Sequence, residues 1–198
     1  MTRGQILSVL LALGVGACVR PPAPVSPAVQ RIAVLPPNNQ TGDTLLIAAG
    51  PVLTGYTFTT DRITVPDVLA AEARTQLTRR GFTLVDPGLV DAATHNAVPS
   101  SPQDAANMAT RAKLDGAVLY TVVRQWTPDN EFEPKAVIVA IDVSLVDPAS
   151  GQNLWTASHP ARPVQTADAI NLREAYTRAA RAVMEELLAP LTPAHTGP

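Results

Sequence analysis

Three acidic residues, Asp129, Glu131 and Glu133, gather beside Trp126 and Phe132 between two apolar stretches of the 198-residue chain. Paired carboxylates can share general acid and base work, and several together can hold calcium. Neither a glycosidase-like geometry nor a calcium-loop ligand pattern can be read from this spacing, so the choice is between a hydrolytic pair and a solvated acidic loop. The same loop admits a binding role. Trp126 and Phe132 stand among breakers and charges, and an exposed aromatic in polar surroundings anchors a protein partner. The other reading has both rings covering the sheet edge, while Trp155, next to Leu154 in a strand, reads as core. His95, His159 and His195 are too scattered for a local metal motif such as H-E-x-x-H. There is no G-x-S-x-G elbow, P-loop or G-x-G-x-x-G fingerprint, and Gly50 to Gly55 holds two glycines without a following Lys-Ser/Thr. The expectation is a non-enzymatic chain without a cofactor or metal.

The single cysteine, Cys18, excludes an intramolecular disulfide and any multi-cysteine cluster. Its position carries more than its number. Met1 to Gly4 has one positive charge, at Arg3, and Ile6 to Val15 follows with no charge at all. That run is too short for a bilayer span of about 20 residues but suits the core of a secretory signal. It ends in Val15-Gly16-Ala17-Cys18, which resembles the lipobox of bacterial lipoproteins. Small side chains at Gly16 and Ala17 let an extended chain enter a peptidase cleft, and the Cys18 thiol is the nucleophile that takes a thioether-linked diacylglycerol. The resemblance implies cleavage before Cys18 and acylation of the new amino group, giving a lipid-anchored, palmitate-type membrane attachment. An ordinary secretory signal with a coincidental cysteine is the alternative. Val19 is not the aspartate that favours inner-membrane retention in the resembled proteins, so the expected place is the outer membrane, facing the periplasm.

Composition narrows the partners. The chain is 46% apolar and 16% charged, enough to bury a core without a metal or disulfide staple. Its formal charge of -2, more negative still once Arg3 leaves with the signal, argues against nucleic acid and against a polybasic membrane patch. Its 19 prolines are about twice ordinary usage. Pro21, Pro22, Pro24 and Pro27 make the stretch after Cys18 an extended spacer. The organisation expected is a signal at 1–17, a lipidated cysteine and proline-rich linker at 18–30, one domain at 31–189 and a tail at 190–198.

The elements that would position these residues follow from periodicity. Ile32 to Leu35 reads as a central strand closed by Pro36-Pro37, and Ala117 to Val123 as another. Leu45 to Ala49 and Tyr56 to Thr60 read as an inserted hairpin. Pro66-Asp67 opens a helix whose Leu69, Ala73 and Leu77 share a face and which stops at Gly81, before a strand at Phe82 to Val85. A short helical piece at Leu89 to Thr94 precedes a helix capped by Ser101, running to Leu114 and stopping at Gly116. Val137 to Leu145 alternates as a strand, and the Asp147-Pro148-Ala149-Ser150-Gly151 turn leads into Leu154 to Ala157. The last helix spans about Asp168 to Leu188, with Leu172, Tyr176, Ala179, Val183 and Leu187 as its buried stripe. This order gives an α/β fold, a single domain with a mixed sheet and helices packed on it.

Arg31 to Asp43, an apolar strand running into Pro-Pro-x-Asn, resembles the opening of several envelope lipoproteins. Val143 to Asp147 with Gly151 to Trp155 is similar to their strand, Asp, turn, Gly, x, x, Leu-Trp hairpin. The group comprises bacterial envelope lipoproteins of unassigned function, the curli-secretion lipoprotein, the activator lipoprotein of penicillin-binding proteins and the amino-terminal domain of the Tol translocation protein. The resemblance implies an anticodon-binding-domain-like fold, no catalysis and work through protein contacts, often as oligomers. The segment from Thr44 to Val65 is longer than the pattern. The expected function is a binding or assembly accessory of an envelope transport, secretion or cell-wall machine, with a structural homo-oligomer or a periplasmic hydrolase as alternatives.

Overall fold

The run Ile32-Ala33-Val34 has no polar side chain, and β1 (Arg31–Val34) accordingly lies inside the sheet with both faces covered. Ile32 and Val34 join one core cluster, Ala33 and Leu35 the other. The computed structural model describes residues 29–49, 52–53, 56–57 and 62–193; Cys18, the signal, the proline-rich stretch after it and residues 194–198 lie outside them. After Pro36-Pro37 the chain forms β2 (Asn38–Asn39), then β3 (Leu46–Ala49), β4 (Val52–Leu53), β5 (Tyr56–Thr57) and β6 (Arg62–Thr64). The expected pairing of Leu45–Ala49 with Tyr56–Thr60 is not the one formed. Instead β3 pairs antiparallel with β6, and β4 with β5. Burial explains the choice: Ile47 and Ile63 both enter the main core, and β6 leads directly into α1 (Val65–Arg79).

The helices at Val65–Arg79 and Pro102–Arg111 start at the signals read from the sequence, while the short helix between them begins at Pro87, two residues before the expected Leu89. At α1 the Thr64 backbone N–H donates to Asp67 Oδ2 at 2.8 Å, and Pro66 sits in the first turn. Leu69, Ala73 and Leu77 form its buried face as expected. β7 (Thr83–Leu84) follows, then α2 (Pro87–Thr94), whose first turn is held by Asp86 Oδ1 accepting from the Leu89 N–H at 3.1 Å. Ser101 caps α3 (Pro102–Arg111), its Oγ accepting from the Asp104 N–H at 3.1 Å. This helix ends before the expected Leu114 because Lys113 is left-handed and the Leu114 N–H bonds back to the Ala109 carbonyl. Gly116 then passes so close to β1 that a Cβ there would lie 2.2 Å from the Arg31 carbonyl oxygen.

Three long strands complete the sheet: β8 (Ala117–Pro128), β9 (Ala136–Val146) and β10 (Asn153–Gln165). β10 runs well past the expected Ala157, through Pro160 and Pro163, which an edge strand tolerates. The order is β10-β9-β8-β1-β7, with β2 also pairing β8; β1 is parallel to β7 and β8, while β9 and β10 are antiparallel. Asn171 caps α4 (Leu172–Leu188), which begins after rather than at Asp168, a residue held at φ 70°.

The two faces are covered unequally. α1 and α4 pack over one face, burying Val137, Val139, Ile141, Val143 and Leu145 of β9. On the other face α2 and α3 place Val90, Ala105, Ala106 and Ala109 over β1 and β8, leaving Ile138, Ala140, Asp142 and Ser144 of β9 half-buried. The expected α/β fold with helices on a mixed sheet is the fold observed.

Candidate interaction surface

The strand directions give the molecule two ends. The described chain enters at Val29 and β1 starts at Arg31, beside Gly116 and the 147–151 turn. β8 runs parallel to β1 and continues beyond it, so its last residue, Pro128, lies at the opposite end, on the order of 35 Å away. The 129–135 loop is carried there, joined by the 166–171 segment between β10 and α4.

That loop is built from its own polar residues. The Asp129 N–H donates to the Ala136 carbonyl at 3.0 Å, and Asp129 Oδ1 accepts from the Lys135 N–H at 3.0 Å. Asn130 Oδ1 accepts from the Phe132 N–H at 2.8 Å, an Asx turn at the tip. Thr166, fully buried, clamps the base: its N–H donates to the Lys135 carbonyl at 2.8 Å and its hydroxyl to the Pro134 carbonyl at 3.2 Å. Asp129, Glu131 and Glu133 are all exposed in this hairpin tip.

The two aromatics of this region part company. Trp126 is 3% exposed and meets Tyr176 of α4 edge-to-face at 6.0 Å, whereas Phe132 is 87% exposed. Trp126 thus sits in the core rather than on a contact surface, because its register in β8 directs it toward α4; Trp155 is also core. At the same end, Ile170 is 82% exposed on the adjoining segment. The Tyr176 hydroxyl is pushed above the usual tyrosine range by burial, and by the nearby Asp43 and Glu131 carboxylates.

Sequence reasoning missed a cleft of about 410 Å³ on the half-covered sheet face, lined by Gln40, Ser101, Tyr120, Arg124, Asp142 and Ser158 among others. Arg124 donates to Asp142 Oδ2, Ser158 Oγ donates to Asp142 Oδ1 at 2.7 Å, and Arg124 Nη1 reaches Gln40 Oε1 at 3.2 Å. Burial opposes ionisation of Asp142, but these hydrogen bonds and the Arg124 charge outweigh it and hold the carboxyl below its usual range. The signal was a charged residue on the open face of an alternating strand. Two further clusters tie helices down. Glu72 of α1, 2% exposed, accepts from Arg181 Nε of α4 at 2.9 Å, and His159 of β10 lies 3.4 Å from Glu186, which also pairs with Arg162. Burial lowers the His159 pKa against the attraction of Glu186, with Arg162 adding to the fall. His95 is the exposed left-handed cap of α2, and His195 lies outside the described residues. Among the described residues no group of His, Cys, Asp and Glu is placed to hold a metal, and no helix is long and apolar enough to cross a membrane.

No family model and no curated protein matches the chain. Solved structures do. The PelC dodecamer from Paraburkholderia phytofirmans is similar at a TM-score of 0.54 and 15% identity, over 87% of this chain and 94% of that one. The hypothetical protein CT253 from Chlamydia trachomatis gives a TM-score of 0.50 and 13% identity, over 81% and 94%. Lipoprotein GNA1162 from Neisseria meningitidis gives 0.46 and 16%, over 71% and 84%. At these identities the likeness is one of fold.

Proposed function

We propose that this chain is a lipid-anchored, periplasm-facing accessory of an envelope transport, secretion or cell-wall machine, acting through protein contacts and not by catalysis. Residues 1–17 act as its signal, 18–30 as acylated Cys18 and tether, 31–189 as the working domain and 190–198 as a tail. The supporting observation is the end-to-end polarity of the domain. The described chain enters the sheet at one end, from Val29, and a hydrogen-bonded hairpin tip presents Phe132 at the other. An anchored body of this shape holds its tip away from the membrane, in reach of a partner. Two or more acyl chains at Cys18 supply stable attachment, at about 0.8 kcal/mol per buried methylene. Replacement Cys18→Ser is expected to move the protein from the outer-membrane fraction to the soluble periplasm; unchanged membrane association would overturn the anchor.

A homo-oligomeric reading has its own support. PelC, similar in fold, is a dodecamer in its crystal structure, and β10 is a long edge strand whose prolines, Pro160 and Pro163, leave Asn153 to Ser158 open to pairing. Mass measurement of the detergent-solubilised full chain decides it: a single-copy mass at high concentration removes this reading.

A further inference from the structure

Resting on the accessory reading above, we propose that the end formed by the 129–135 loop, the 166–171 segment and Asp43 docks a basic segment of a second protein that carries apolar side chains among its Lys and Arg residues. Phe132 and Ile170 are the two most exposed large hydrophobic residues among those described, and both lie at this end. The same end carries five exposed carboxylates, Asp43, Asp129, Glu131, Glu133 and Asp168, with Asp43 and Glu131 both acting on Tyr176 beneath it. None of the five is in an ion pair among the described residues. Lys135 is the one cation of the 129–135 loop. Such a surface complements positive charge around an apolar centre, where charge sets approach and register and the buried side chains hold the complex.

The tip is also ordered before any partner arrives. Asn130 and Asp129 take the loop N–H groups, and Thr166 bonds both the Pro134 and Lys135 carbonyls, so little backbone freedom remains to be lost on docking. Anionic lipid headgroups are repelled by the same carboxylates, which favours a protein over a membrane as the occupant. Exposed Arg79, Arg111 and Lys113, at the C-terminal ends of α1 and α3, lie at the far end, where a second copy would offer them to the tip only head to tail, while Arg173 in the first turn of α4 is an exposed cation at the tip end itself.

The test places a photo-crosslinking amino acid at position 132 of the full lipidated chain in its own cells, with a second probe at Ser158, and maps the crosslinked peptide by mass spectrometry. The expected product at 132 is one segment of another envelope protein with net positive charge and apolar residues. Combined Glu131→Lys and Glu133→Lys is expected to cut its yield at least tenfold while the melting temperature stays unchanged. A neutral or acidic segment, a yield indifferent to charge reversal, crosslinks to lipid, crosslinks to a second copy, or no product at 132 would each overturn the proposal. If 132 is silent and Ser158 captures an envelope protein, the docking site falls while the accessory reading stands; if neither position captures protein, both fall.

Discussion

The body of the β8–β9 hairpin and its tip are held by different forces. In the body, alternate side chains of β9 and Trp126 of β8 are driven into the layer beneath α1 and α4, and apolar burial does the holding. At the tip every residue of 129–135 except Pro134 is exposed, and order comes from hydrogen bonds accepted by Asp129 and Asn130 and donated by Thr166. Two aromatics six residues apart therefore answer to different constraints. The lesson is that a loop with internal polar bonds can present an apolar ring without depending on that ring for stability.

The comparison breaks most readily at Trp126. Replacement Trp126→Ala empties a site packed against Tyr176 and is expected to cost about 3–5 kcal/mol, read by denaturant titration. A loss under about 1 kcal/mol would mean that Trp126 does not belong to the body. At the start of β8, Gly116→Ala combines a φ of +88° with a contact to the Arg31 carbonyl that no Cβ tolerates. The strain is worth about 1–3 kcal/mol, and a neutral effect on melting would show that β8 and β1 separate easily.

A smaller effect concerns pH. His159 sits between β10 and α4, facing Glu186 of α4 and Arg162 of its own strand, and folding lowers its pKa. The unfolded chain then binds the proton more readily than the folded one, so this contribution is present above the ordinary histidine pKa and is lost as pH falls through it toward the folded value. Stability curves for His159→Gln should be flatter between pH 7 and 5 than those of the parent; an identical slope would assign the dependence to other groups. The smallest effect is expected at the tip, where Phe132→Ala should change stability by no more than about 0.5 kcal/mol. A larger loss would show that the ring packs against the body after all.

What was legible in the sequence was local. Ser101-Pro102 and Pro66-Asp67 marked helix starts that the structure confirms with bonds across three residues, the first at Ser101 itself and the second to Thr64, a cap not read from the sequence. The Asp147 turn closes as its composition suggests: the Gly151 N–H meets the Asp147 carbonyl at 2.8 Å, and Ser150 Oγ donates to Asp147 Oδ2 at 2.6 Å. Hydrogen bonds from Ser150 and the Ala149 N–H hold the Asp147 carboxyl below its usual range. The alternation of β9 foretold which side chains would be buried, because strand periodicity needs no knowledge of the partner strand.

The sequence by itself thus determined the caps, turns, strand periods and overall α/β class, all of which depend on neighbours a few residues away. The tertiary structure decided whatever depends on distant segments meeting. It paired β3 with β6 in place of the nearer segment, because Ile47 and Ile63 share one core. It joined Glu72 to Arg181 across 109 positions, and Arg124 to Asp142 across neighbouring strands. It also separated Trp126 from Phe132. Both are large aromatics in the same stretch, and only the packing of α4 against the hairpin decides which one loses its water.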